Sequence, residues 1–143
     1  SAHAFAVYPI VTQAVGAHSR VVPAHDGSRG PRFGHDIEAM LKAVTPDTRV
    51  VFVANPNNPT GTWVNKRTLR GFVEGIPESV IVVIDEAYFE YVEEPDYPGA
   101  VHWISEFPNL LVTRTFSKAY GLASLRIRAS KVWQRCWKFS NKG

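Results

Sequence analysis

Three short apolar runs, each closed by a cluster of polar residues, set the limits on what this chain can fold into. Arg49 to Ala54 runs into Asn55-Pro56-Asn57-Asn58-Pro59-Thr60-Gly61, Ser79 to Ile84 into Asp85-Glu86-Ala87-Tyr88, and Leu110 to Thr113 into Arg114-Thr115-Phe116-Ser117-Lys118. Val/Ile-rich runs without polar alternation are the pattern of strands covered on both faces. Helical segments separate them. Asp36 is placed to cap a helix to about Val44, with Ile37, Met40, Leu41 and Val44 on one face, and Asn65 caps another with Leu69, Phe72 and Val73 inward. Tyr8 to Ala17 reads as a helix ending near Gly16, Arg20 to Ala24 as a short strand, Gly27 to Gly34 and Glu93 to Gly99 as loops, and Val101 to Phe107 as a short helix. The expected fold class is α/β, a mainly parallel sheet with flanking helices. In such sheets ligands bind beyond the carboxyl ends of the strands, where all three polar clusters fall.

Bulk properties narrow the function classes. With 143 residues, 45% hydrophobic and 20% charged, the chain is expected to be a globular domain with a real core. No apolar run is long enough to span a bilayer as a helix, and no secretory signal is seen, so a cytoplasmic address is expected. The chain opens on Ser1 in structured-looking sequence, so a preceding segment is expected to be missing. A single cysteine, Cys136, excludes a disulfide framework or cysteine zinc cluster. The five histidines, His3, His18, His25, His35 and His102, show no ligand spacing, so no metal is expected. Glu90, Glu93, Glu94 and Asp96 read as a solvated loop. The net charge of +3 divides unevenly: residues 1–127 balance at −2, whereas 128–143 carry +5 and no acid, with Trp133 and Trp137 among the basic residues. The body therefore gives no support for binding nucleic acid or membranes. The expected division is a body over 1–127 and a basic tail over 128–143.

Each polar cluster admits a bland and a chemical reading. Lys118, taken alone, is more often a surface lysine, yet it stands among Thr115 and Ser117, with Arg126 eight residues on. A lysine with a lowered pKa can form a Schiff base with a carbonyl, and hydroxyls with a guanidinium suit a phosphate. Asp85, at the end of a buried strand, can hold a protonated pyridine nitrogen, with Tyr88 donating nearby. The same strand also resembles the magnesium-binding strand of P-loop ATPases, but G-x-x-x-x-G-K-[ST] is absent from the chain. Two prolines and Gly61 make Asn55 to Gly61 a rigid turn, either a plain strand-to-helix connection or a pre-organised contact.

Together and in this order, N-P-N-N-P-T-G, D-E-A-Y and S-K-A-Y-G-L-A-x-L-R resemble the class I/II aminotransferases of pyridoxal-phosphate fold type I, and within them the histidinol-phosphate aminotransferases. H-A-F-A-V-Y-P near the start is similar to the same group, and the resemblance covers residues 1–127. It implies pyridoxal 5'-phosphate as cofactor, carried on Lys118, which then acts as general base and acid. It implies Asp85 on the pyridine nitrogen, Tyr88 and Asn58 on the ring's phenolic oxygen, Phe5 stacked on the ring face, and Thr115, Ser117 and Arg126 on the phosphate. The implied partners are an amino-acid-like phosphate (histidinol phosphate), the 2-oxoglutarate/glutamate pair, and a second copy in a homodimer. Other fold-type-I aminotransferases, an amino-acid-phosphate decarboxylase and a non-catalytic remnant remain as alternatives.

The pattern breaks after Ile127, where Arg128 replaces an expected glycine. A frameshift or gene-fragment end would explain both this and the charge jump. From Arg128 onward the chain is expected to be disordered or an isolated helix. Without the segments that supply further phosphate donors and a substrate-carboxylate arginine, residues 1–143 alone are expected to be incompetent in catalysis and prone to aggregate through open strand edges.

Overall fold

The computed structural model describes residues 1–125 and 128–132. Four strands form one sheet in the order β1-β2-β3-β4: β1 is Val50–Ala54, β2 Ile81–Asp85, β3 Leu110–Thr115 and β4 Arg128–Val132. The first three run parallel, and β4 is antiparallel to β3. Three α-helices accompany them, α1 (Val7–Ala14), α2 (Ile37–Lys42) and α3 (Lys66–Gly75), with single 3-10 turns at Phe89–Tyr91, Ala100–Trp103 and Ala123–Leu125.

Parallel neighbours need a crossover, and α3 supplies the one between β1 and β2. Its start is set by Asn65, whose side-chain oxygen accepts the Thr68 N–H at 2.8 Å. Leu69, Phe72 and Val73, spaced three and four apart, are buried against the sheet. On the outer face Arg70 pairs with Glu74 and Glu106. Asp36 caps α2 in the same way through the Ala39 N–H at 2.9 Å. The core is one cluster in which these helices meet Val53, Val82, Ile84, Leu110 and Val112, closed by Ala100, Trp103 and Ile104. Burying a side chain such as Phe72 contributes about 1.5–3 kcal/mol.

Four sequence expectations change. Consecutive burial on both faces holds for β2, but β1 begins exposed at Val50 because it lies at the edge of the described sheet. Arg20 to Ala24 is not a strand. It gains only isolated backbone bonds, such as the Ala2 N–H on the Val22 carbonyl at 2.8 Å, and Val21 stays exposed. The expected helix over Val101 to Phe107 is one 3-10 turn at Ala100–Trp103. Residues 128–132, expected to be disordered or helical, form β4 instead: the free edge of β3 offers a complete backbone ladder, from Thr115 opposite Arg128 to Leu111 opposite Val132. Backbone pairing ignores the change in composition that suggested a break there. Trp133, Cys136 and Trp137 lie outside the described residues.

Candidate active site

The first wall is the turn after β1. Asn55 is fully buried and works on the backbone: its amide donates to the Val64 carbonyl at 3.1 Å and accepts the Val64 N–H at 2.8 Å. The Tyr97 hydroxyl donates to the Asn55 carbonyl. Asn57 donates to the His3 carbonyl at 2.7 Å and to the Thr60 hydroxyl at 2.8 Å. Gly61 closes the turn at φ 69°, in the left-handed region that suits glycine. Two of the three asparagines thus build the turn, and Asn58 is the one that reaches the concavity beside it.

The second wall is the end of β2. Register sets Asp85 opposite Thr113 on β3. Asp85 Oδ1 accepts the Thr113 hydroxyl at 3.1 Å and the Ala87 N–H at 3.1 Å, while Oδ2 accepts the Tyr8 hydroxyl at 2.6 Å. Burial above all, then the charge and hydrogen bond of Asp85, push the Tyr8 phenol far above the usual tyrosine range, so it stays a donor. The next residue, Glu86, is 1% exposed. Its Oε2 pairs with Arg114 at 2.7 Å and its Oε1 accepts the Ala100 N–H at 2.6 Å. Arg114 in turn lies over the Phe89 ring at 3.7 Å. Burial pushes the Glu86 carboxyl up, against the pull of Ala100 and Arg114.

The third wall is the turn after β3. Gly121 N–H bonds the Lys118 carbonyl at 2.9 Å, and Lys118 Nζ lies 5.3 Å from the centre of the Tyr88 ring, within cation–π reach. Phe5, Tyr8, Asn58, Asp85, Tyr88 and Lys118 line one concavity beyond the carboxyl ends of the parallel strands. Five of these six are residues the sequence singled out for catalysis or cofactor contact. Tyr8 was missed, because a tyrosine in a predicted helix carries no local signal of a partner 77 positions away.

Of the residues expected at the phosphate, Thr115 and Ser117 are not among those lining this concavity. The Thr115 hydroxyl accepts the Ser117 N–H at 3.1 Å, and Thr115 lines a separate cavity with Arg114, Phe116 and Tyr120. Ser117 is half-buried, and Arg126 lies outside the described residues. Among the described residues no group of three or more His, Cys, Asp or Glu is arranged to hold a metal ion.

The ends of the parallel strands gather a carboxylate, an amide and an amine around one concavity, the place where ligands bind in α/β sheets. Residues 1–129 match the family model for aminotransferase class I and II, and the chain belongs to that family. A relative from Methylococcus capsulatus named histidinol-phosphate aminotransferase 2 is 65% identical over 127 residues, covering 89% of this chain and 34% of the relative. One of the same name from Pseudomonas fluorescens is 60% identical over 89% of this chain and 33% of its own. The solved histidinol-phosphate aminotransferase from Sinorhizobium meliloti, in complex with pyridoxal-5'-phosphate, superposes with a TM-score of 0.84 at 30% identity, covering 100% of this chain and 38% of that one. The fold is that of fold-type-I aminotransferases. The chain spans about a third of the length of the curated relatives it matches.

Proposed function

We propose that this chain is the cofactor-binding part of an aminotransferase that moves the amino group between histidinol phosphate and the 2-oxoglutarate/glutamate pair, with pyridoxal phosphate held on Lys118. The observation that carries this reading is the meeting of Asp85 and Lys118 in one concavity, each without an ion-pair partner among the described residues. The residues fit such a group. A half-buried carboxylate without a cation suits a protonated ring nitrogen, and an amine without a carboxylate is free to act as a nucleophile. When bound, pyridoxal phosphate supplies the carbonyl that joins the lysine and the ring that withdraws electrons from the substrate carbon.

The roles of the chain's own residues are those the resemblance implies, and the shared concavity supports the ones given to Phe5, Asn58, Asp85, Tyr88 and Lys118. Lys118 Nζ carries the cofactor and, once released, takes and returns the proton at the substrate carbon. Asp85 fixes the charged ring nitrogen. Asn58 and Tyr88 border the same concavity from the β1 and β2 turns, where both donate to the ring's phenolic oxygen. Phe5 covers a ring face. Thr115, Ser117 and Arg126 hold the phosphate in this reading, on the resemblance alone. The names of the relatives support histidinol phosphate as substrate. Homodimerisation and a cytoplasmic location belong to the same proposal on the resemblance alone. Among the described residues no helix is long and apolar enough to cross a membrane.

The test is borohydride reduction in the presence of pyridoxal phosphate, followed by mass-spectrometric mapping, which should find the label on Lys118. In parallel, residues 1–127 grafted into the full-length Methylococcus capsulatus relative, in place of the segment they match, should transaminate histidinol phosphate with 2-oxoglutarate. Label on another lysine, or an inactive graft, would count against the reading.

A further inference from the structure

We infer that Tyr8 is a positioning residue for Asp85: its hydroxyl occupies one side of Oδ2 and fixes which lone pair of the carboxylate faces the concavity. The inference rests on the cofactor reading above. An ionised carboxylate offers about four lone-pair sites. Asp85 Oδ1 already receives two donors, the Thr113 hydroxyl and the Ala87 N–H. Oδ2 receives one, from Tyr8 at 2.6 Å. The remaining site is on Oδ2, and Asp85 and Tyr8 both line the concavity. A carboxylate turns broadly about its last torsion. Three donors on two oxygens remove that freedom and leave one acceptor direction for a charged ring nitrogen.

Tyr8 is itself held. Its ring stacks on Phe52 of β1 with centroids 4.9 Å apart and planes at 22°, and Phe5 meets its edge at 6.3 Å. Along α1 only Tyr8 and Thr12 are withdrawn from solvent. The helix therefore touches the sheet at the residue that holds Asp85, and the placement of Phe5, three residues earlier, is tied to the same contact. Because burial and Asp85 keep the phenol protonated, Tyr8 holds the carboxylate as a donor and takes no proton from it.

The test compares Tyr8→Phe with the parent chain, and the same change in the grafted full-length relative, by pyridoxal phosphate titration. Removing a hydrogen bond to a charged group should weaken cofactor binding about tenfold. The ring on Phe52 is kept, so the thermal midpoint should barely move. In an Asp85→Asn background the same change should have less than about a twofold effect, since a contact that acts only through the carboxylate couples to it. Unchanged affinity in Tyr8→Phe, or the full loss persisting with Asp85→Asn, would overturn the assignment of Tyr8 alone. Absence of any borohydride-fixed label on Lys118 in both parent proteins would overturn the cofactor reading, and this inference with it.

Discussion

Asp85 and Glu86, adjacent in sequence, are held by adjacent residues of one neighbouring strand: Thr113 donates to Asp85 at 3.1 Å, and Arg114 pairs with Glu86 at 2.7 Å. Side chains alternate along a strand, so the two carboxylates leave the sheet in opposite directions. One borders the concavity and the other enters the interior. The dipeptide thus divides into a residue of the candidate site and a residue of the interior.

That division predicts opposite outcomes for two isosteric changes. Asp85→Asn should leave stability within about 1 kcal/mol, because its neighbours can still bond an amide, while weakening pyridoxal phosphate binding at least about tenfold. Glu86→Gln leaves the Arg114 guanidinium without its anion in a largely buried pair and should cost about 3 kcal/mol of stability. Urea denaturation and cofactor titration of both variants check this. Equal stability losses would mean that the alternation does not separate the roles.

Lys118 is exposed at its turn, and its one described side-chain contact is the Tyr88 ring at 5.3 Å. Lys118→Ala should therefore change stability by no more than about 0.5 kcal/mol, as for surface positions generally. It should nevertheless abolish borohydride labelling by pyridoxal phosphate, and transamination in the grafted relative. Residual labelling at the parent level would place the reactive amine elsewhere.

How much of this was legible depends on how local the signal was. The three apolar runs marked β1, β2 and β3 through their Val/Ile/Leu content, although consecutive burial holds only for β2. Asp36 and Asn65 marked helix starts, because capping is settled within three positions. Asn58, Asp85, Tyr88 and Lys118 were legible as candidates because each ends a strand or sits in the turn beyond it. What lay hidden was long-range. Nothing near Tyr8 announces Asp85, nothing near Arg20 to Ala24 says that no strand pairs with it, and nothing in Arg128 to Val132 says that β3 has a free edge. Glu86 was legible only as a charge. Its burial follows from register with Arg114, which a single run of residues does not contain.

The turn after β1 gives a third contrast. Asn55 is fully buried and satisfies both backbone groups of Val64. Asn55→Ala should leave those groups unpaired and cost about 1–3 kcal/mol for each that water cannot reach. Asn58→Ala should cost little stability and weaken cofactor binding instead. Thermal unfolding beside cofactor titration separates the two, and a stable Asn55→Ala protein would show that the turn holds without this amide.

His35 supplies the acid limb of stability. It is 6% exposed, its Nε2 lies 2.8 Å from the Ala54 carbonyl, and its buried Nδ1 has no hydrogen-bond partner. The Ala54 carbonyl accepts, so Nε2 carries the proton and Nδ1 is bare. A second proton on Nδ1 would place a charge in the interior. Burial is the main cause that pushes the ring down from 6.5 to about 4, with a smaller push from the N-terminal ammonium and a counter-pull from the Ala54 carbonyl. The unfolded chain therefore takes up this proton near pH 6.5, and the folded chain only near pH 4. Between those values the unfolded state binds more protons, so stability falls as the pH is lowered through that window, by about 3 kcal/mol when the whole shift is traversed. His35→Gln keeps a donor for Ala54 and removes the titration. Its stability at neutral pH should change far less than its acid limb, which should flatten between pH 6.5 and 4 in urea denaturation followed by fluorescence. An acid limb as steep as the parent's would assign the loss to the carboxylates and leave His35 a packing residue beside β1.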